Sequence, residues 1–345
     1  MSAGQRLRLE YVTPSELQSK TGQGVLGAAA FDDSARALNG TAVDFPLAHV
    51  HAAVLSDTRE VLEVWRADVR TRADSHGRVR YARGGDLLFG SLAVREDELP
   101  EPGASGSPTP LEAATNLAYR EMYAALAAAG TPHLLRVWNY IPDINVDTYG
   151  LERYRQFNTA RHAASRACGR AVMGSVPAAS ALGAKTGSPL TLYFLASHRA
   201  PAFIENPRQV SAYRYPAEYG PRSPAFSRAT VLGEGSRATL FISGTASIVG
   251  HRTLHAGDPA AQTRETLVNI EALLEQAGRS AGTGALRLEH LTYKVYVRDP
   301  QKLPVIRAQL EAALGRDAAL LYLQADICRR DLSVEIEAVG GFGWQ

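Results

Sequence analysis

The chain is poor in cysteine, nearly neutral in charge and free of long apolar runs. Its 345 residues include two cysteines, Cys168 and Cys328, too few for a disulfide framework and in keeping with a reducing compartment. A formal net charge of +2 gives no global field to hold nucleic acid or a membrane surface. The opening MSAGQRLRLEYVTP lacks an apolar signal core, and no run approaches the length of a bilayer span. A cytoplasmic protein is expected. There is no phosphate-cradling glycine loop, no GxSxG elbow and no CxxC pair, so nucleotide-binding and serine-hydrolase readings find no support. What remains is an ordinary globular composition, 45% hydrophobic and 21% charged, long enough for two domains or one large duplicated one. Arginine far outnumbers lysine, which suits planar recognition of carboxylates.

One pattern occurs twice. Asp86–Val94 (DLLFGSLAV) leads into an amphipathic stretch at Leu111–Ala129, a β-like run His133–Ile141, helical spacing over Leu151–Arg166 and an apolar run Leu190–Ala196. Thr239–Gly250, Gln262–Ala277, His290–Arg298, Gln301–Leu314 and Leu332–Val339 repeat that order. Two β-α-β-α-β copies in one chain make a pseudo-symmetric seam, of which one copy need keep any chemistry. Residues 1–84 read as a β-rich lead-in with strands at Leu7–Val12, Ala48–Val54 and Leu62–Ala67. The first unit is placed at residues 1–196 and the second at 229–345. Between them Ser197–Arg228, rich in Pro, Tyr and Arg, is expected to be an ordered, functional loop. Asp147 is expected to cap a helix starting near Tyr149 or Gly150, Asp258 or Thr263 to cap the helix over Gln262–Ala277, and Gly278 to close it.

The closing strand puts Val334, Ile336 and Ala338 on one face and Ser333, Glu335 and Glu337 on the other. Paired acids, partly buried, raise each other's pKa and supply a proton donor near neutral pH; the plain alternative is a solvated strand face. Cys328, just before this strand, is either a reactive thiol or a small buried hydrophobe. His49 and His51 alternate along one strand without a third ligand at suitable spacing, so a structural role is expected, and His251 and His255 are treated alike. The aromatic-basic loop reads as a pocket wall rather than a base-stacking surface.

The stretch VEIEA at Val334–Ala338, following a βαβ arrangement, resembles the C-terminal half of RidA/YjgF proteins, which are trimers with ligand pockets at subunit clefts. This chain differs in being duplicated, and Tyr322 falls near where those proteins carry a carboxylate-binding arginine. A narrower resemblance covers nearly the whole chain. YGLERYRQFNTAR (Tyr149–Arg161), YRYPAEYGPRSPAFSR (Tyr213–Arg228), FISGTASIVGHR (Phe241–Arg252) and ADICRRDLSVEIE (Ala325–Glu337) strongly resemble the chorismatases.

That resemblance implies an α+β fold: duplicated RidA/YjgF-like (chorismate mutase-like) β-α-β-α-β units, mixed sheets with helices packed on one face. It implies an enzyme that splits chorismate into pyruvate and a ring product by protonating the enolpyruvyl ether, with no metal or redox cofactor. Glu335 is the expected proton donor, with Glu337 raising its pKa or holding water. Arg161 and Arg228 are the expected carboxylate clamps, with Arg155 and Arg222 in reserve. Tyr154 and Tyr215 are expected to hydrogen-bond substrate, and Gly244 to let the backbone approach it. Cys328 with a small residue at 244 looks like the aromatising branch, so the expected product is 3-hydroxybenzoate, alone or mixed with 4-hydroxybenzoate. The alternatives are release of a dihydroxycyclohexadiene carboxylate, a RidA-like imine deaminase and a non-catalytic metabolite-binding module. The expected partner is a small-molecule substrate, without nucleic acid or membrane. Internal duplication favours a monomer over a dimer.

Overall fold

Alternation from the start of the chain resolves into three sheets in the computed structural model, which describes residues 6–19, 24–38, 43–99, 106–282 and 286–341. The leading sheet comprises β1 (Leu7–Val12), β2 (Val25–Phe31), β3 (Leu47–Val50) and β5 (Leu62–Ala67), in the order β1-β5-β2-β3. Two short helices, α1 (Pro14–Ser19) and α2 (Asp32–Ala37), accompany it. The sequence reading missed β2, whose VLGAAAF is buried at every position and therefore shows no alternation. A Cβ at Gly27 would overlap the Phe89 ring, so this sheet lies hard against the next one. His49 lies on β3, whereas His51 falls beyond its end.

The first copy runs β6 (Arg72–His76), β7 (Val79–Gly84), β8 (Leu87–Val94), α3 (Pro110–Ala129), β9 (His133–Pro142), the hairpin β10 (Asp147–Thr148) and β11 (Leu151–Glu152), α4 (Arg153–Ala167), β12 (Ala178–Ala184) and β13 (Leu190–Ser197). The second runs β14 (Ala202–Ile204), β15 (Ala229–Leu232), β16 (Thr239–Thr245), the hairpin β17 (Ile248–Val249) and β18 (Arg252–Thr253), α5 (Pro259–Ala281), β19 (Thr292–Val297), α6 (Leu303–Leu314), β20 (Ala319–Gln324) and β21 (Val334–Gly341). The first sheet has the order β12-β9-β13-β8-β7-β6, and the second β20-β19-β21-β16-β15-β14. Position by position these are one topology, including the parallel pairs β12/β9 and β20/β19. The fold is thus α+β and duplicated, as expected. The β6–β7 hairpin belongs to the first copy's sheet rather than to the lead-in, and β12 and β20 extend the unit beyond the five elements read from sequence. From the lead-in, β4 (Ala53–Val54) pairs with β20 at the edge of the second sheet.

Local signals account for the helix ends. Thr109 and Glu112 form a reciprocal capping box before α3, which ends at Gly130 in the left-handed region. Asp258 caps α5, but Gly278 does not close it. The helix continues to Ala281, and Gly282 takes the left-handed φ of 66°. Asp147 is not a cap either: Tyr149 and Gly150, at φ 53° and 78°, turn the β10–β11 hairpin before α4 begins. Asp147 instead pairs with Arg330 at 3.0 Å.

Each sheet has helices on one face and its neighbours on the other. Val79, Leu92, Val137 and Phe194 pack with α3 and α4 in one cluster. Val295, Ile336 and Ala338 pack with α5 and α6 in a second, and Val12, Ala28 and Val64 form a third with Leu17 of α1. The opposite faces meet in a shared core holding Trp65 of the leading sheet, Trp138 and Tyr193 of the first copy, and Phe241 and Tyr296 of the second.

Candidate active site

The strand period of two sends Val334, Ile336 and Ala338 of β21 toward the helices and Glu335 and Glu337 toward the shared core. The carboxylates are 4% and 5% exposed, which rules out a solvated strand face. The corresponding inner positions of the first copy's closing strand include Tyr193 and Leu195. The paired acids are present in the second copy alone.

The two glutamates differ sharply in surroundings. Glu337 Oε1 accepts from Trp138 Nε1 at 2.6 Å and Lys294 Nζ at 2.8 Å. Its Oε2 accepts from Arg136 Nη2 and Ser180 Oγ, both at 2.7 Å, and from Tyr296 OH at 3.1 Å. Burial disfavours this carboxylate, but Lys294 and Arg136 outweigh it and hold the pKa down at about 2. Glu335 is pushed up to about 8, first by burial and then by the Glu337 charge, against Arg136, Arg298 and Arg228. One acid is locked as an anion, and its neighbour keeps a proton at neutral pH. Environments that separate a carboxyl pair in this way assign the acid role to the raised member.

Glu335 opens onto a cavity of about 230 Å³ at the seam between the copies. The seam forms where the edge of β12 meets the second copy. Ser227 N donates to Pro177 O at 3.0 Å, and Gly183 N to Asp326 O at 2.7 Å. Ser243 Oγ accepts from Ala179 N and donates to Ser227 O. The β16–β21 register slips between Ile242 and Thr245, and that irregularity brings Gly244 to the cavity wall. A Cβ there would overlap Glu335 Oε1, so position 244 must be glycine for the acid to sit where it does. Cys328 Sγ lies 4.0 Å from Glu335 Oε2. Burial, then the Glu335 charge, pushes its thiol up to about 12, so it remains S–H. Tyr154 is raised by burial first and then by Cys328, and it stays a phenol.

The rest of the wall comes from the 197–228 segment and the turn after Ile327. Tyr215 and Tyr219 stand 5.3 Å apart between centroids. The Arg329 guanidinium lies 4.2 Å from the Tyr219 centroid and 5.2 Å from that of Tyr215. Arg228 Nη2 donates to Tyr215 OH and Val210 O, each at 2.8 Å. Arg329 Nη1 donates to His251 O at 2.9 Å. Arg329 Nη2 and Arg228 Nε are buried without a protein partner, which leaves donors for an anionic ligand. Arg298 fixes this turn, donating to Leu332 O, Ile327 O and Arg329 O at 2.8–3.0 Å.

Of the residues expected from sequence, Glu335, Cys328, Gly244, Tyr154, Tyr215, Arg228 and Arg155 line one cavity. Three others do not. Glu337 lies beneath it with both oxygens taken by protein donors, so it has no lone pair to hold a water. Arg161 is buried in α4, donating to Asn158 Oδ1 at 2.8 Å, and Arg222 is exposed. Tyr322 stacks with Arg307, 5.2 Å away, outside the cavity. Arg329, Arg330 and Tyr219 line the site without having been singled out, although Arg329 directly follows Cys328. A more open groove of about 1160 Å³ runs along α3 and α4 past Cys168, and neither glutamate lines it.

Comparison with known proteins decides the family. A 3-hydroxybenzoate synthase of Streptomyces hygroscopicus is 38% identical over 288 residues, 80% of each chain. The chain belongs to the chorismatase family. The family description "Chorismatase FkbO/Hyg5-like, N-terminal" matches residues 63–196. A chorismatase of Streptomyces rapamycinicus is 39% identical over 299 residues, 83% of this chain and 85% of its own. A chorismatase crystal structure superposes with a TM-score of 0.85 at 32% identity, covering 99% of this chain and all of the other. Membership in the chorismatase family therefore extends to the whole architecture, the leading sheet included.

Proposed function

We propose that this chain cleaves chorismate to pyruvate and 3-hydroxybenzoate, with Glu335 as the proton donor. The observation that carries the reading is the divided carboxyl pair: a protonated Glu335 at the wall of an arginine- and tyrosine-lined cavity, beside an ionised Glu337 that the cavity does not reach. The names of its relatives, chorismatase and 3-hydroxybenzoate synthase, supply the substrate and product class.

Glu335 hands its proton to the terminal methylene of the enolpyruvyl ether, and the ether carbon becomes an oxocarbenium ion. The ring carbon–oxygen bond then breaks and pyruvate leaves with the ether oxygen. The neighbouring ring hydroxyl closes onto the vacated carbon as an epoxide. Reopening and loss of a ring proton give the hydroxybenzoate and return a proton to Glu335. Substrate and products balance with neither water nor oxidant consumed. Arg228 and Arg329 hold the two carboxylates through their unused donors, with Arg155 at the rim. Tyr154 and Tyr215 orient the ring. Cys328, a neutral thiol against Glu335, walls off water and assists rearomatisation. Water admitted instead yields the dihydroxycyclohexadiene carboxylate.

Among the described residues no helix is long and apolar enough to cross a membrane, and a cytoplasmic monomer with its site in the seam between its own two copies fits this reading; the second copy begins at β14, inside the stretch read from sequence as a connecting loop. The test is incubation of purified protein with chorismate, assaying pyruvate and ring products by chromatography. Stoichiometric pyruvate and 3-hydroxybenzoate, abolished by Glu335→Gln, are expected. No pyruvate, or undiminished release by the variant, refutes the proposal.

A further inference from the structure

Lys294 sits on β19, whose outward residues Tyr293, Val295 and Val297 pack with the helices, and its side chain enters the shared core only 2% exposed. A lysine ammonium has three protons, and all three are used. They go to Glu337 Oε1 at 2.8 Å, to Tyr193 OH at 2.8 Å and to Glu63 Oε2. Glu63 belongs to β5 of the leading sheet and is wholly buried. Its Oε1 also accepts from Trp65 Nε1 at 2.8 Å, and Tyr193 OH lies 3.3 Å from its Oε2. On the far side Arg136 of β9 completes an alternating chain: Glu63, Lys294, Glu337, Arg136. Its charges sum to zero, with members from all three sheets, and none of the four lines the cavity.

A buried quartet balanced within itself has no charge to spare for Glu335, whose ionisation Arg298 and Arg228 favour but burial and Glu337 outweigh. Glu335 is the next residue inward on β21, and its ionisation would leave the cluster one negative charge in excess. We infer that Glu63 and Lys294 are positioning residues for the proton donor: Glu63 fixes Lys294, Lys294 holds Glu337 as a carboxylate, and that charge keeps Glu335 protonated. This deepens the proposed function and rests on its assignment of Glu335. The groups facing Glu335 are Glu337 on its own strand, Cys328 before it, Arg298 after β19, Arg136 on β9, Arg228 before β15 and Tyr154 on α4. The groups facing Glu337 are Lys294, Arg136, Ser180, Trp138 and Tyr296. Glu63 hydrogen-bonds to neither carboxyl of the pair, and Lys294 is the group that bridges it to Glu337.

Glu63→Gln tests this. The amide keeps the shape and one acceptor oxygen, which serves either Trp65 or Lys294, removes one negative charge and leaves the cluster net positive, which favours ionised Glu335. Glu63→Met makes the same charge change should the amide not fold. Tyr193→Phe is the control, removing a hydroxyl from both Lys294 and Glu63 without altering charge. The Glu335 carboxyl is followed directly by infrared difference titration, its band assigned by disappearance in Glu335→Gln, alongside the alkaline limb of kcat/KM for pyruvate release. Both transitions should fall by roughly one pH unit or more in the Glu63 variants and stay in place in Tyr193→Phe. A folded Glu63 variant with an unmoved infrared transition overturns the inference, as does an equal shift in Tyr193→Phe. A shifted infrared transition in a protein that does not turn over chorismate upholds the coupling and rejects the proposed function instead.

Discussion

Replacing Glu335 with glutamine should abolish turnover and at the same time make the protein more stable. The carboxyl is carried from 4.5 to about 8 by burial and by Glu337. In the unfolded chain it ionises near its ordinary value, so between these two pKa values the native state holds a proton that the unfolded state has released. Stability then falls as pH rises across that window, by about 1.4 kcal/mol per unit. Summed from 4.5 to neutrality, the native protein forfeits about 3 kcal/mol. Glutamine fills the same space and carries no such liability. Glu337 has the opposite sign: its pKa, lowered to about 2, stabilises the fold above 4.5 and is lost as pH falls toward 2. That contribution is common to both proteins and cancels in the comparison. Urea unfolding of the two proteins, measured at intervals from about pH 4.5 to 8, should give curves that coincide at the acid end and diverge steadily above it. A constant offset between them across this range would refute a buried, protonated Glu335.

Four further outcomes are expected. Gly244→Ala should cut kcat by about a hundredfold or more with the fold intact by circular dichroism, because its Cβ would displace the Glu335 carboxyl. Arg329→Met should raise KM for chorismate about tenfold or more, the scale of one charge-assisted hydrogen bond, while leaving the alkaline limb of kcat in place. Cys328→Ala should shift product from hydroxybenzoate toward the dihydroxycyclohexadiene carboxylate, read by chromatography. With its thiol pushed up to about 12, Cys328 should also resist iodoacetamide at pH 8 in the native protein and react once unfolded.

The parts of this molecule that were legible in the sequence are those written locally. The duplication shows in the recurrence of strand and helix periods, and the paired acids show in the alternation of VEIEA, because each depends on residues a few positions apart. Val25–Phe31 and Ala178–Ala184 escaped because strands buried on both faces, or built from small residues at a seam, carry no alternation. Asp147 misled because the turn at Tyr149–Gly150 takes two residues of positive φ, which composition does not announce. Arg161 and Arg228 look alike in sequence, yet the first is turned into a helical interface and the second into the cavity. Glu63, Arg136 and Lys294 are brought together from positions up to 231 residues apart. Their sole local signal is a charge standing inside a largely apolar strand, as in LEVWRA, HLLRVWNYIP and TYKVYV.

Joining three sheets in one polypeptide has a consequence for what their common interior can contain. Three identical subunits around an axis would present every inward residue three times, so a lysine pointing at the axis would meet two more lysines there. Here each sheet contributes something different: an acid from the first, an arginine and two aromatic rings from the second, a lysine and the paired glutamates from the third. Because the three sheets differ in sequence, each inward position is occupied singly, and an acid, a lysine and an arginine meet at the centre of the molecule without any of them facing a copy of itself.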